Sequence, residues 1–280
     1  TLDFAKALIE NEQLGQDAVP DYLAVSFSAT DYVGHLFGAS SLESEDNLAR
    51  LDRTLAALFR HVDEKVGLKH TLIVLSADHG QPEIPGHLRE LGIEHARHFD
   101  TDALDKTPAI AALKARFGIA EKLIEAFFQP YLYLDRDLIR AKGLDQAAVE
   151  NAVAAELEKF EGVAAAVSST AMRTSNLPDT LMTRAILRNF QPKRSGDIYL
   201  VFEPNVFIND FDGLTVASTH GSPWRYDTYV PVIFAGAGLE PQTVSRPVTP
   251  YDIAPTLATY LGIAPPSGAI GNPLPEVIGD

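Results

Sequence analysis

Residues 70–77 read His-Thr-Leu-Ile-Val-Leu-Ser-Ala and run directly into Asp78-His79-Gly80. A near-continuous run of apolar and β-branched residues of this length predicts a strand that is buried on both faces of a parallel sheet. The polar residues after it then lie beyond the carboxyl end of the strand, where open α/β sheets bind their ligands. The same short segment therefore predicts a fold class and the position of a functional site.

The segment on the N-terminal side of this strand completes a βαβ unit. Residues 21–28 also predict a strand, and leucines recur at spacings of three and four between 43 and 66, as on the buried face of an amphipathic helix. Ser41 or Ser44 can cap this helix, and Gly67 can end it. Strand, crossover helix and strand in this order indicate an α/β fold.

Two later segments extend the predicted sheet. Residues 196–202 and 229–236 are rich in β-branched and aromatic residues and predict strands, while Pro231 delays the start of the second or places it near an edge. A final helix is predicted at 252–261, with Asp252 as its N-cap. The predicted fold class is α/β, a mostly parallel sheet with flanking helices.

Residues 82–194 differ in pattern from the sequence on either side. They hold a predicted helix at 144–160 between two strand-like segments, and they open with closely spaced prolines. We predict that they form an inserted α+β subdomain. Residues 1–81 and 195–280 are then predicted to form the main α/β core.

Composition excludes several classes of protein. The 280 residues suffice for one large or two small domains, and 46% hydrophobic with 22% charged residues is typical of a globular protein. A formal net charge of −15 argues against binding a nucleic-acid backbone through basic patches. The absence of cysteine excludes disulfides, iron–sulfur clusters and thiol nucleophiles.

Neither a membrane span nor a signal peptide is predicted. The longest apolar stretch falls short of the roughly 18 residues that a membrane helix needs, and the N-terminal residues lack the features of a secretory leader. Residue 1 is Thr and not Met, so we expect that further sequence precedes it.

Three groups of Asp and His lie at predicted strand ends: Asp31 with His35, Asp78 with His79, and His220. The first pair is four residues apart, so one turn of helix would place both side chains on one face. Asp and His supply the oxygen and nitrogen donors of catalytic zinc sites. Because parallel strands end at one edge of a sheet, the three groups can converge, which favours a metal-dependent hydrolase. Each group alone also fits a surface turn or loop cap, and spacing alone leaves both interpretations open.

Other polar groups are predicted to have structural or solvent-facing roles. His95 and His98 could line the mouth of a site, but they lie in a polar loop where a structural role is the simpler interpretation. Lys193 and Arg194 could bind phosphate, although a turn before the next strand explains them equally well. Trp224 is predicted to pack so that it orders the loop of His220.

Five runs of sequence together resemble the alkaline phosphatase superfamily. They are Phe-Ser-Ala-Thr-Asp-Tyr-Val-Gly-His (27–35), Arg-Leu-Asp-Arg-Thr-Leu (50–55), Leu-Ile-Val-Leu-Ser-Ala-Asp-His-Gly (72–80), Thr-His-Gly-Ser-Pro-Trp-Arg-Tyr-Asp-Thr-Tyr-Val-Pro-Val-Ile-Phe (219–234) and Arg-Pro-Val-Thr-Pro-Tyr-Asp-Ile-Ala-Pro-Thr-Leu-Ala (246–258). Within the superfamily the chain is most similar to the bacterial phosphate-irrepressible alkaline phosphatases, near the type I phosphodiesterase and nucleotide pyrophosphatase group. The resemblance extends from about residue 1 to 270.

This resemblance implies a zinc-dependent phosphate-ester hydrolase with two zinc ions at the carboxyl edge of its sheet. Asp31, His35 and His220 would hold one zinc ion. Asp78 and His79 would hold the other. A small phosphate ester would be attacked in line by a Thr or Ser, through a phospho-enzyme. Members of the family are exported, which implies a periplasmic or secreted protein.

The family's nucleophile and one further Asp ligand come from an N-terminal half that precedes the segment seen here. Neither Thr30 nor Ser76 matches the position of that nucleophile. We therefore expect a preceding segment or chain as partner, a second zinc site that is incompletely liganded here, and little activity of this portion alone. A phosphodiesterase, a sulfatase and a non-catalytic metal-binding fragment are the alternatives.

Overall fold

A computed structural model describes residues 1–211 and 213–279 of this α/β protein. Its helices, in chain order, are α1 (Leu2–Asn11), α2 (Ala29–Phe37), α3 (Leu42–Lys65), α4 (Pro85–Glu90), α5 (Pro108–Arg116), α6 (Arg136–Ala141), α7 (Gln146–Leu157), α8 (Ser169–Thr174), α9 (Leu181–Asn189), α10 (Arg225–Thr228), α11 (Ile253–Tyr260) and α12 (Pro275–Ile278). Short 3₁₀ turns lie at Leu68–His70, Leu104–Lys106 and Pro250–Asp252. No helix within the described ranges combines the length and the apolar character that crossing a bilayer requires.

In the described residues, the strands form four separate sheets. In chain order they are β1 (Leu72–Ser76), β2 (Arg97–His98), β3 (Ile124–Phe128), β4 (Tyr131–Leu134), β5 (Val163–Ser168), β6 (Ile198–Phe202), β7 (Val206–Phe207), β8 (Asp210–Phe211), β9 (Leu214–Thr215) and β10 (Val232–Gly236). Contacts divide the chain into a first unit of Thr1–Gly34, Ser40–Gly80 and Tyr229–Asp280 and a second unit of His35–Ala39 and Gln81–Thr228.

In the first unit, β1 pairs with β10 in an antiparallel ladder that runs from Leu72 opposite Gly236 to Ser76 opposite Val232. Both strands were predicted, and both form, but they pair antiparallel, whereas a mostly parallel sheet was predicted. Helices α1 and α3 pack together around a small apolar cluster of Ala5, Ile9 and Leu58. The pairing of β1 with β10 brings the C-terminal part of the chain onto the strand that precedes Asp78.

Helix α3 matches its sequence prediction closely. The Ser41 hydroxyl accepts a hydrogen bond of 3.1 Å from the backbone N–H of Ser44, as an N-cap does. The helix ends at Lys65, and Gly67 then adopts a φ of +93°, a left-handed conformation that glycine adopts at little cost.

Residues 21–28 differ from the strand that was predicted there. Leu23, Val25 and Phe27 are half-buried against the α1–α3 cluster, and the residues between them are exposed. This alternation is the period-two pattern of a strand with one face on a core. However, the described part of the chain contains no backbone ladder to residues 21–28. The predicted strand is therefore not confirmed, because a side-chain pattern does not supply the backbone partner that a strand requires.

The second unit is built on an antiparallel sheet in the order β3-β4-β6-β5. Helix α7 covers it, and the core between them includes Val149, Val153, Leu132 and Ile198, none of which is accessible to solvent. Strand β6 was predicted at 196–202 as part of the main sheet, but it pairs with β4 and β5 in this unit. The α+β region therefore continues past residue 194, to Thr228.

Candidate metal centre

Helix α2 carries the first predicted pair of ligands. Asp31 lies in its first turn and His35 in its last turn. Because they are four residues apart on a helix, their side chains project from the same side, as the spacing predicted. The division between the two units falls within this helix, after Gly34, so Asp31 belongs to the first unit and His35 to the second.

Asp31, Asp78 and His79 come together in the first unit. His79 Nε2 lies 3.7 Å from Asp31 Oδ1 and 3.7 Å from Asp78 Oδ1. Asp78 and His79 reach this place because they directly follow β1, as the sequence predicted. Both separations exceed a hydrogen-bond length.

The other ring nitrogen of His79 contacts a backbone carbonyl. His79 Nδ1 lies 3.0 Å from the carbonyl oxygen of Gly80. A carbonyl oxygen only accepts hydrogen bonds, so Nδ1 is the donor in this contact and Nε2 is the ring nitrogen that faces the two carboxylates. An imidazole nitrogen and carboxylate oxygens are donor types that a zinc ion accepts.

His35 and His220 come together in the second unit. Their ring centroids are 4.9 Å apart, with the ring planes inclined by 37°. His35 is only 3% exposed, and its Nδ1 lies 2.8 Å from the carbonyl oxygen of Ser218. This bond again places the proton on Nδ1 and leaves Nε2 as the potential ligand atom, the arrangement in which backbone carbonyls support metal-bound histidines.

The backbone of His35 is tied to the same segment. The N–H groups of Ala217 and Ser218 donate to the carbonyl oxygen of His35, at 2.8 and 3.3 Å. Ser218 is fully buried, and its hydroxyl accepts a 2.9 Å hydrogen bond from the side-chain amide of Gln81. The segment that orients the His35 imidazole therefore leads directly into His220.

The loop after His220 is also held by specific bonds. Asp227, in α10, accepts hydrogen bonds from the backbone N–H and the hydroxyl of Ser222, at 2.8 and 2.5 Å. The indole N–H of Trp224 donates to the carbonyl oxygen of Phe202 in β6, at 2.9 Å. Trp224 thus packs within the second unit, as predicted.

The remaining polar groups named from the sequence have structural contacts. His95 Nε2 lies 3.2 Å from the carbonyl oxygen of Pro204, and His98 Nε2 lies 3.1 Å from that of Ala217. Lys193 and Arg194 lie in a turn before β6, as predicted.

Sequence reasoning did not identify Ser218, Gln81 or Gln129 as contributors to this region. Ser218 acts through its backbone carbonyl, which every residue possesses, so its identity carries no signal. Gln129 donates to the carbonyl oxygen of His220 from 91 residues away in the sequence, and no local pattern indicates such a contact.

Comparisons with known proteins place the chain in a family. Residues 2–223 match the family described as type I phosphodiesterase / nucleotide pyrophosphatase. A Myroides odoratus protein named calcium-transporting ATPase is 39% identical over 280 residues, which are 99% of this chain and 50% of that protein. Alkaline phosphatase PafA from Elizabethkingia meningoseptica is 36% identical, over 100% of this chain and 50% of its own.

The fold is similar to a solved alkaline phosphatase. The crystal structure of wild-type PafA superposes with a TM-score of 0.87 and 35% identity, over all of this chain and 52% of that chain. The chain spans about half the length of these relatives. The predicted alkaline-phosphatase-like α/β core is confirmed by this similarity. With 222 of its residues in the family match, the chain belongs to the type I phosphodiesterase / nucleotide pyrophosphatase family.

Proposed function

We propose that this chain is the zinc-binding portion of a phosphate-ester hydrolase of the alkaline phosphatase type. The observation that carries the proposal is the common state of two imidazoles: His35 and His79 each hold a proton on Nδ1 against a backbone carbonyl. An imidazole in this state offers the Nε2 lone pair that zinc requires. Family membership and the alkaline phosphatase relatives support the same reaction class.

We assign the ligands in two sets. Asp31, His35 and His220 hold the first zinc ion, supported by the shared helix of the first two and the neighbouring rings of the last two. Asp78 and His79 hold the second zinc ion. Carboxylate oxygen and imidazole nitrogen are donors that zinc accepts, and the chain has no thiolate to compete with them.

The residues of this chain bind the zinc ions and orient the ligand side chains. When bound, zinc supplies a Lewis acid that polarises a phosphoryl oxygen. The carbonyl oxygens of Ser218 and Gly80 accept from Nδ1 of His35 and His79 and so leave Nε2 as the ligand atom, and Asp31 and Asp78 bring negative charge that offsets the cations. The side chain of Asp78 is 90% exposed, so a ligand atom at this position can be reached from solvent.

We extend this assignment to a proposal for the reaction of the whole protein. A Thr or Ser of a preceding segment or chain acts as nucleophile on a small phosphate monoester, and a further Asp from that part completes the second zinc site. We propose a periplasmic or secreted location, by analogy with the alkaline phosphatase relatives. The family match favours one second candidate, a phosphodiesterase. Assays of the intact protein with nitrophenyl phosphate and bis-nitrophenyl phosphate separate the two.

Zinc titration tests the ligand assignment. Calorimetry on this chain is expected to give one tight site, with three protein ligands, and one weaker site, with two. His79→Ala should remove the weaker event and spare the tight one. His95→Ala is the matched control, because His95 also contacts a backbone carbonyl but is not an assigned ligand. Two equally tight sites, or binding that neither variant changes, would contradict the assignment.

A further inference from the structure

The peptide group of His220 is held directly by a side chain of the sheet in the second unit. Gln129 lies between β3 and β4, and its side-chain Nε2 donates a 2.7 Å hydrogen bond to the carbonyl oxygen of His220. Gln129 is half-buried, so this bond is partly shielded from competing water. The contact connects two segments that are 91 residues apart in the sequence.

Gly221 allows the Gln129 amide to approach this closely. Gly221 has a φ of +106°, a backbone conformation that side chains disfavour. A Cβ atom at this position would lie only 3.1 Å from Gln129 Nε2. The glycine and the glutamine therefore fit each other: the chain turns sharply after His220, and the amide lies against the turn.

The Gln129 bond differs from the other bonds of this loop. Ser218 is bound by Gln81 and by His35, and Ser222 is bound by Asp227. Those contacts hold residues on either side of His220, whereas Gln129 holds the carbonyl group of His220 itself. The direction of a Cα–Cβ bond follows from the orientation of the adjoining peptides, so fixing this carbonyl also fixes where the imidazole points.

We propose that Gln129 is a positioning residue for the first zinc ion: by donating to the His220 carbonyl, it aims the His220 imidazole at the metal. The inference rests on the proposed zinc site. It also gives the four-stranded sheet of the second unit a role in metal binding, since the turn between β3 and β4 presents the amide.

Zinc affinity of matched variants tests this inference. Gln129→Leu removes the donor with little change in volume. The control is Gln16→Leu, because Gln16 also donates through Nε2 to a backbone carbonyl, that of Lys65, at the same 2.7 Å. We expect Gln129→Leu to weaken the tight zinc site about 10-fold, at the low end of the range for loss of an outer-shell partner, and Gln16→Leu to leave it unchanged.

Amide hydrogen exchange gives a second readout that does not depend on activity. In Gln129→Leu, the amides of Gly221 and Ser222 should exchange faster than in the parent chain, while those of β3 and β4 keep their protection. Gln129→Glu provides a second variant in case the leucine does not fold, and it should weaken zinc at least as much, because a carboxylate cannot donate to the carbonyl.

The outcomes separate this inference from the proposed function. If the parent chain binds no zinc, the proposed function is wrong and the inference falls with it. If the parent chain binds zinc and both Gln129 variants, folded by circular dichroism, bind it with parental affinity, the positioning role alone is overturned. Equal weakening by Gln16→Leu would also overturn it, because the effect would then reflect general destabilisation.

Discussion

The Nδ1 atom of His35 and the carbonyl oxygen of Ser218 are 2.8 Å apart, although 183 residues separate the two in the sequence. The bond fixes the tautomer of an imidazole that is almost fully buried. The carbonyl belongs to the segment that leads into His220. The same backbone segment therefore orients the candidate ligand His35 and contains the candidate ligand His220. Such outer contacts are what preorganise a metal site.

Replacing His35 is therefore expected to damage zinc binding specifically. His35→Ala should weaken the tight zinc site by more than the roughly 100-fold upper range for loss of an outer-shell contact, because a ligand is lost together with its support. His98→Ala is the control, since His98 contacts the neighbouring carbonyl of Ala217 at 3.1 Å without being an assigned ligand. Calorimetric titration of both variants measures the difference. Comparable losses in the two would show that the effect arises from the loop and not from ligation.

Zinc should also stabilise the folded chain. A ligand that binds only the native state adds about 2.7 kcal/mol to the free energy of unfolding at 100 times its dissociation constant. We expect the melting temperature to rise with zinc and to return to its starting value when a chelator is added. Magnesium at the same concentration should act much more weakly, because it is a poor match for imidazole donors. A melting temperature that zinc leaves unchanged would be inconsistent with a site preformed in the fold.

Two glycines at the end of β10 have similar backbone conformations but differ in how closely the neighbouring chain packs against them. Gly236 and Gly238 have nearly the same φ, +82° and +80°. A Cβ at Gly236 would collide with the backbone carbonyl oxygen of Thr71, whereas a Cβ at Gly238 would meet nothing within 4 Å. Gly238→Ala should cost about 1 kcal/mol, for the positive φ alone. Gly236→Ala should cost clearly more, because Thr71 adjoins the β1–β10 ladder and cannot move without disturbing it.

Urea unfolding of the two alanine variants checks this expectation. Because β1 positions Asp78 and His79, Gly236→Ala should also weaken the second zinc site, and Gly238→Ala should not. Equal free energies of unfolding for the two variants would mean that the collision relaxes without cost.

Acid should remove part of the stability that Asp105 provides to the second unit. Burial pushes the pKa of the Asp105 carboxyl up, but the Lys114 ammonium at 2.7 Å and the N–H groups of Ile124 and Leu123 outweigh it and hold this pKa below its usual value. A depressed pKa in the folded state means that this stabilisation is complete above the ordinary carboxyl pKa and is lost as the pH falls through the folded-state pKa.

Asp105→Asn should lower the free energy of unfolding at neutral pH by about 3 kcal/mol, since it leaves Lys114 buried without its partner. The gap to the parent should narrow below about pH 4, as the parent's own carboxyl takes up a proton. The measurement is urea unfolding at several pH values, with Asp137→Asn, from the exposed pair with Arg140, as control. A gap independent of pH would contradict the role of the ionised carboxylate.

Local patterns in the sequence predicted the elements that local physics determines. The Ser41 cap, the apolar spacing of α3 and the β-branched run of β1 each act within one segment, and each element forms as expected. The spacing of Asp31 and His35 likewise predicted their place on one helix. The family resemblance supplied the ligand assignment, which spacing alone left open.

Features that depend on distant segments were not predictable in the same way. Strand direction is one example, since β10 runs antiparallel to β1 and nothing in either sequence encodes that. Residues 21–28 have the alternation of a strand, yet pairing depends on a neighbour that the pattern does not name. The carbonyl of Ser218 contacts His35 and the amide of Gln129 contacts His220, both across long sequence separations. Periodicity in the sequence does not indicate contacts of this kind.

Anomalous diffraction at the zinc edge, from crystals of this chain grown with zinc, tests the central claim most directly. The account predicts a peak bonded to Asp31, His35 and His220, at roughly the 2.0–2.2 Å of zinc–nitrogen and zinc–oxygen bonds. A peak confined to other residues, or no peak while zinc is present in excess, would contradict it.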